Sequence, residues 1–114
     1  MALSNAAKEA AALAVTGLGD RISLHTADPG TTGANEATGG SPAYARKQTT
    51  WNGGASDGVV AGSPVSFDVP AGTYTHWGVW TSGGVFVAGF PLASSTGALP
   101  GQTTVAVTPT FTAS

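Results

Sequence analysis

The sequence predicts an all-β protein: an antiparallel β-sandwich or jelly-roll-like barrel with a short N-terminal α-helix. About seven short extended segments follow one another, with turn residues roughly every 8–12 positions. Several segments alternate apolar and polar residues, which is typical of strands buried on one face. Glycine makes up 17 of the 114 residues, about double its usual share. At this length we expect one domain over residues 1–114, with a helix in 1–16 and a sandwich in 21–114 that contains a long 27–43 loop.

The helix is predicted over Met1–Val15, an alanine-rich segment of high helix propensity. Ser4 or Asn5 can cap its N-terminus, and Gly17 and Gly19 are expected to end it in left-handed conformations. The apolar positions at helical spacing are Leu3, Ala7, Ala10, Leu13 and Ala14. Because this stripe is too poor to fold alone, we expect the helix to dock as a lid on the sandwich or on a neighbouring subunit.

The strands are expected at Arg21–Thr26, Tyr44–Trp51, Val59–Val60, Val65–Val69, Thr73–Thr81, Val85–Phe90, Thr103–Val107 and Thr110–Thr112. The Thr73–Thr81 segment is the most strand-like, since aromatic and β-branched residues dominate it. Trp77 and Trp80 have opposite parity along it, so at least one of them is expected to be buried.

A long polar loop follows the first strand. Asp28-Pro29-Gly30-Thr31 suits a type II turn, in which Asp28 hydrogen-bonds locally. Residues 31–41 contain three glycines and almost no apolar side chains. Loops of this length are usually functional or ordered by a partner. A second turn is expected at Asn52-Gly53-Gly54.

Composition narrows the class of function. Only 9% of the residues are charged, against about 25% in typical domains, which suggests a surface covered by copies of the chain or by a partner. A net charge of −2 with four basic residues gives no reason to expect nucleic-acid binding. The absence of cysteine excludes disulfides and thiolate zinc sites. No apolar run approaches the ~20 residues that span a membrane, and Lys8-Glu9 interrupts the place of a signal-peptide core.

No constellation of residues predicts catalysis or a cofactor. There is no G-x-S-x-G motif, and neither His25 nor His76 lies in a catalytic pattern, so both are expected to be structural. His25, Asp28 and Glu36 are close in sequence, but no EF-hand or other dense acidic spacing accompanies them. We predict no catalytic, cofactor-binding or metal site.

The aromatic residues admit two interpretations. Trp51, Trp77 and Trp80, with Tyr44 and Tyr74, could form a platform on which sugars stack. A small β-domain also needs large aromatic side chains in its core, and we favour the core, with carbohydrate binding as the alternative.

Residues Ile22–Lys47, ISLHTADPGTTGANEATGGSPAYARK, followed by Trp51, resemble the signature of a family of small virion proteins of tailed phages and prophages, known as tail-fibre or minor tail proteins. The resemblance extends to the N-terminal MALSNAAKEA and to FDVPAGTYTHWGVWT at Phe67–Thr81. It implies no enzymatic residues.

We therefore predict a non-enzymatic structural protein of a phage virion surface, of tail-fibre, minor-tail or capsid-decoration type, assembled in the host cytoplasm. Its expected partners are copies of itself and other capsid or tail proteins; the alternative is a module that binds a host receptor or surface glycan. The candidate interface residues are Leu3, Ala7, Ala10, Leu13, Asp28, Pro29, Asn35, Glu36, Tyr44 and Arg46.

Overall fold

The computed structural model describes residues 4–52, 58–92 and 94–112. Its elements are α1 (Asn5–Thr16), β1 (Arg21–His25), β2 (Lys47–Gln48), β3 (Trp51–Asn52), β4 (Val59–Gly62), β5 (Val65–Val69), β6 (His76–Trp80), β7 (Phe86–Pro91), β8 (Thr103–Val107) and β9 (Thr110–Thr112). Because the strands pair antiparallel and only one short helix accompanies them, the predicted all-β class is confirmed.

Three sheets build the sandwich. The first has the order β2-β1-β6-β7, the second β3-β4-β9, and the third pairs β5 with β8. Strands β1 and β6 form the centre of the first sheet, in a register that places Arg21 opposite Trp80 and His25 opposite His76. A bulge between Val79 and Trp80 interrupts the pairing of β6 with β7.

The core lies on one face of the first sheet. Ile22 and Leu24 of β1 are paired with Val79 and Trp77 of β6, and all four are buried. They belong to the same apolar cluster as the fully buried Phe67 of β5. Alternate residues of β1 and β6 therefore face the core, as the period of a strand requires.

The predicted Tyr44–Trp51 strand is wrong in its extent, because the chain changes sheets within it. Strand β2 pairs with β1, whereas β3 pairs with β4 of the second sheet. Between them, the buried Thr49 donates its hydroxyl to the carbonyl of Ser63 at 2.7 Å. The bounds predicted for Val65–Val69, Thr103–Val107 and Thr110–Thr112 are confirmed.

The helix begins at Asn5, after one of the two predicted cap residues, and its C-terminal end differs from the prediction. Ser4 caps it, since its hydroxyl accepts the backbone N–H of Ala7 at 3.2 Å. The prediction of left-handed ends was wrong: Gly17 has φ −69°, an ordinary helical value. Gly19 is required for another reason, because a Cβ there would overlap the backbone carbonyl of Trp80. The predicted turn at Gly53-Gly54 lies outside the described residues.

Helix α1 packs against β4 and β9. Its buried residues are Glu9, Ala12 and Thr16, and Glu9 accepts the backbone N–H of Gly58 at 3.1 Å. The described residues of the predicted apolar stripe, Ala7, Ala10, Leu13 and Ala14, are therefore not the surface with which the helix docks on its own sheet. Within the part of the chain that the structure describes, no helix is long and apolar enough to cross a bilayer.

Candidate functional site

The second face of the first sheet carries polar side chains and is also buried. Ser23 and His25 of β1 are fully buried there, beside Trp80 of β6. Gly78 of β6 lies next to Ser23 and His25: a Cβ at this position would be 2.7 Å from the Ser23 side chain and 3.0 Å from the His25 side chain. This face is covered by the chain that follows β1, so the long loop replaces solvent over the sheet.

Glycines and a proline allow the loop to pack closely against the sheet. Pro29 is fully buried, and a Cβ at Gly89 of β7 would overlap its ring. Gly33 has φ 80°, and a Cβ there would lie 2.5 Å from the indole of Trp80. The first turn is closed as predicted by Asp28, whose carboxylate accepts the N–H of Gly30 at 2.8 Å.

Backbone hydrogen bonds hold the loop to β1. The N–H of Thr26 donates to Asn35 at 2.9 Å, and the N–H of Ala37 donates to Leu24 at 2.8 Å. Contacts within the chain therefore order this part of the loop.

An ion pair between Glu36 of the loop and Arg46 beyond its end, called the clamp from here on, lies over Trp80. The guanidinium of Arg46 donates two hydrogen bonds of 2.9 Å to the carboxylate of Glu36, and its Cζ lies 3.4 Å from the centre of the Trp80 ring. Tyr44 donates its hydroxyl to Glu36 at 2.9 Å and accepts the N–H of Leu24 at 3.0 Å. Burial raises the pKa of Tyr44 far above its usual range, and the hydrogen bonds to Glu36 raise the pKa of Arg46. Both groups therefore keep their protons at any physiological pH.

Beneath the loop, Ser23 and His25 form a pair with the spacing of a nucleophile and its base. Their Oγ and Nε2 atoms are 2.6 Å apart, while Nδ1 lies 2.8 Å from the carbonyl of Ala34. Since a carbonyl only accepts, Nδ1 carries the proton and Nε2 accepts the serine hydroxyl. Trp80 donates its indole N–H to the same Oγ at 2.8 Å. Because both residues are fully buried and their polar atoms are satisfied, the pair serves as a hydrogen-bonded support for the loop.

The buried imidazole makes a pH dependence testable. Burial lowers the pKa of His25 from 6.5, against smaller opposing effects of the Ala34 carbonyl and Glu36. Below pH 6.5 the unfolded chain therefore binds a proton that the folded protein does not, so the free energy of unfolding should fall as the pH drops from 7 to 5. The slope is at most about 1.4 kcal/mol per pH unit for one histidine. Chemical denaturation of the His25→Gln variant should show a shallower slope, and an unchanged slope would contradict this assignment; His76→Gln is the control.

Some of the predicted interface residues are exposed, and others are buried or bonded to groups of the same chain. Asp28 and Asn35 are exposed at the tip of the loop, whereas Pro29 is buried beneath it. Glu36 and Tyr44 are partly buried in the clamp. On the helix, the exposed members are Ala7, Ala10 and Leu13. Leu3 lies outside the described residues, and Arg46 is exposed although its charge is paired with Glu36.

The three tryptophans do not form one exposed platform. Trp77 and Trp80 are only 4% and 8% exposed, which confirms that the core takes at least one of them. Trp51 is half-buried and lines a cleft at the C-terminal end of α1. This cleft also contains Asp20 and Gln48, which the sequence analysis did not single out because no motif connects them.

Metal binding finds no support in the described residues. Among residues 4–52, 58–92 and 94–112, no three side chains of the metal-binding types form a group. In the loop considered from sequence, His25 bonds to Ser23 and Ala34, and the Glu36 carboxylate is taken up by Arg46 and Tyr44.

Comparison with known proteins agrees with the tail-fibre resemblance. Residues 5–113 match the family model described as Podophage GP4 fiber I protein gp80. No curated protein and no solved structure matches the chain. Since the family match covers nearly the whole sequence, the chain belongs to the podophage GP4 fibre I protein gp80 family of phage fibre proteins.

Proposed function

We propose that this fibre protein is a non-enzymatic structural subunit of the virion, which assembles with copies of itself and with other tail or capsid proteins. Family membership places it among phage fibre proteins. The buried, fully hydrogen-bonded Ser23–His25 pair supports a structural role rather than catalysis. Assembly takes place in the host cytoplasm, and the protein is then carried on the particle.

The observation that carries the assembly proposal is the division of helix α1 into two faces. Glu9, Ala12 and Thr16 dock on the sandwich, while the described positions of the predicted stripe, Ala7, Ala10, Leu13 and Ala14, remain exposed. Leu13 is 47% exposed, and Leu18 just beyond the helix is 61% exposed. An alanine-rich face allows the backbone of a second helix to approach closely, so we assign this face to the contact between subunits.

The loop supplies the second surface. Its backbone is held against β1, so the exposed Asp28 and Asn35 are presented in a fixed position. Asn35 adopts a left-handed conformation (φ 63°), and its side-chain amide donates to the carbonyl of Asp28 at 3.1 Å. Preorganisation of this kind lowers the entropic cost of binding. We assign the loop tip to contacts with other virion proteins.

A matched pair of variants tests the subunit contact. Ala10→Lys places a charge on the proposed face, whereas Thr104→Lys adds the same charge at an exposed position of β8, in the sheet formed with β5. Sedimentation velocity should show oligomers for the native protein and for Thr104→Lys, and a shift to monomer for Ala10→Lys. Equal masses for the two variants would contradict the assignment of this face.

A second candidate function is the binding of a host surface glycan by the displayed protein. One observation favours it: Trp51 remains accessible in a polar cleft, unlike the two buried tryptophans. Multiple copies on one virion would convert a weak contact into avidity. An array of bacterial surface glycans probed with the native protein tests this function.

A further inference from the structure

The cleft next to Trp51 lies between the end of α1 and the strands β1, β2 and β3. It is lined by residues 16–21, residues 48–51 and Ser82, and encloses about 420 Å³. This volume falls within the usual 300–1,000 Å³ of small-molecule sites. The cleft contains no residue of the clamp, and of the residues cited for the exposed helix face it shares only Leu18, which lies beyond the end of the helix.

Planar polar groups form one side of the cleft. The Asp20 carboxylate accepts the amide N–H of Gln48 at 2.9 Å and the Nε–H of Arg21 at 3.3 Å. The ion pair is about two fifths exposed on each side. Within the described part of the chain, the terminal nitrogens of Arg21 donate to no other group. Donors and acceptors are therefore fixed in place with hydrogen-bonding capacity left for a ligand.

The indole of Trp51 forms the apolar part. Its Nε1–H donates to the carbonyl of Gly19 at 2.8 Å, and part of the ring packs against the core. The side chain is therefore held in one orientation and loses little conformational entropy when a ligand stacks on it. Gly19 itself cannot carry a side chain, since a Cβ would overlap the backbone of Trp80. The sheet thus determines the position of the Gly19 carbonyl, which orients the indole of Trp51.

We propose that this cleft binds a neutral saccharide, a pyranose whose adjacent hydroxyls contact Asp20, Arg21 and Gln48 while its apolar ring face lies on Trp51. An aromatic ring beside a few fixed polar groups is the composition expected for a site that orients a small ligand. The opposite charges of Asp20 and Arg21 cancel, which favours a neutral ligand over a phosphate or an acidic sugar. This inference rests on the glycan-binding candidate function and assigns it to a place.

The test uses methyl glycosides of glucose, galactose, mannose and N-acetylglucosamine, titrated into ¹⁵N-labelled full-length protein. The three indole N–H resonances report on the three tryptophans, and the Trp51→Phe variant identifies the one that belongs to Trp51. At least one glycoside should shift the Trp51 resonance and leave those of the buried Trp77 and Trp80 unchanged. For a ligand of this size in an open cleft, the dissociation constant should be on the order of 1 mM.

Gln48→Ala should then weaken binding roughly five- to tenfold, because one orienting hydrogen bond is lost. Gln48 is exposed, so this variant should fold. Gln102→Ala is the matched control, since Gln102 lies outside the cleft and bonds to the backbone of Ser41 and Pro42. If Gln48→Ala leaves the binding of a glycoside or of an array glycan unchanged, the protein still binds glycans, but the assignment of this binding to the cleft is overturned. Binding of acidic sugars alone would overturn the neutral ligand, and no binding to any glycoside or array glycan would overturn the function itself.

Discussion

Replacing Gly33 by alanine is expected to destabilise the protein by about 2–5 kcal/mol. Two costs add up: the left-handed backbone at φ 80° costs an L-residue about 1–2 kcal/mol, and overpacking costs about 1–3 kcal/mol. The overpacking arises because the new methyl group would lie 2.5 Å from the Trp80 ring, on which the loop is seated. Urea denaturation followed by circular dichroism measures the change.

Gly30→Ala separates the two costs. Gly30 also has positive φ (60°), but a Cβ there meets nothing within 4 Å. It should therefore lose only the backbone part, about 1–2 kcal/mol. If both variants lost the same amount, the loop would not be packed against Trp80, and the proposed rigidity of its tip would be wrong.

Truncating Phe67 to alanine is expected to cost about 3–5 kcal/mol of unfolding free energy. The ring is fully buried in β5 and stacks on Tyr44, with 5.8 Å between ring centres. Its loss would leave a cavity where the sandwich core meets the residue that binds Glu36 in the clamp. Val85→Ala is the control: Val85 is 64% exposed, and its truncation should change stability by less than about 0.5 kcal/mol. A small effect of Phe67→Ala would place the core elsewhere.

Local sequence patterns gave the correct bounds for some strands only. Val65–Val69 and Thr103–Val107, which pair with each other over their whole length, have the predicted bounds, whereas the predicted Thr73–Thr81 is longer than β6 (His76–Trp80). The Tyr44–Trp51 strand was predicted wrongly because Lys47–Gln48 and Trp51–Asn52 join different sheets, which no local pattern reveals. The same limit applied to Gly17, because the sequence does not show whether a glycine at the end of a helix keeps a helical φ or adopts a left-handed one.

The second face of the first sheet shows what pattern could not predict. Strand alternation puts Ser23 and His25 on the face opposite Ile22 and Leu24, and in the structure this face is fully buried as well. Burial became possible because the loop provides the carbonyl of Ala34 and the sheet provides the indole N–H of Trp80. Partners that are 9 and 57 residues away along the chain cannot be deduced from alternation.

The candidate surfaces were only partly foreseen. The helix stripe and the loop tip were predicted as interfaces, and the structure leaves Ala7, Ala10, Leu13, Asp28 and Asn35 exposed. The clamp of Glu36 and Arg46 over Trp80 required the fold, because the ion pair joins the middle of the loop to a residue beyond its end, and both come to lie near a tryptophan of β6. The cleft required it too, since Asp20 and Gln48 meet only through the pairing of β1 with β2.

We propose above all that this protein works as one of several copies packed side by side in a phage fibre. Electron cryomicroscopy of the intact particle tests that claim most directly. We expect a map of the tail to show symmetry-related copies in contact through the exposed face of α1, with the Asp28–Asn35 loop tip against a neighbouring virion protein. Density for an isolated copy, with α1 facing solvent on all sides but its own sandwich, would contradict it.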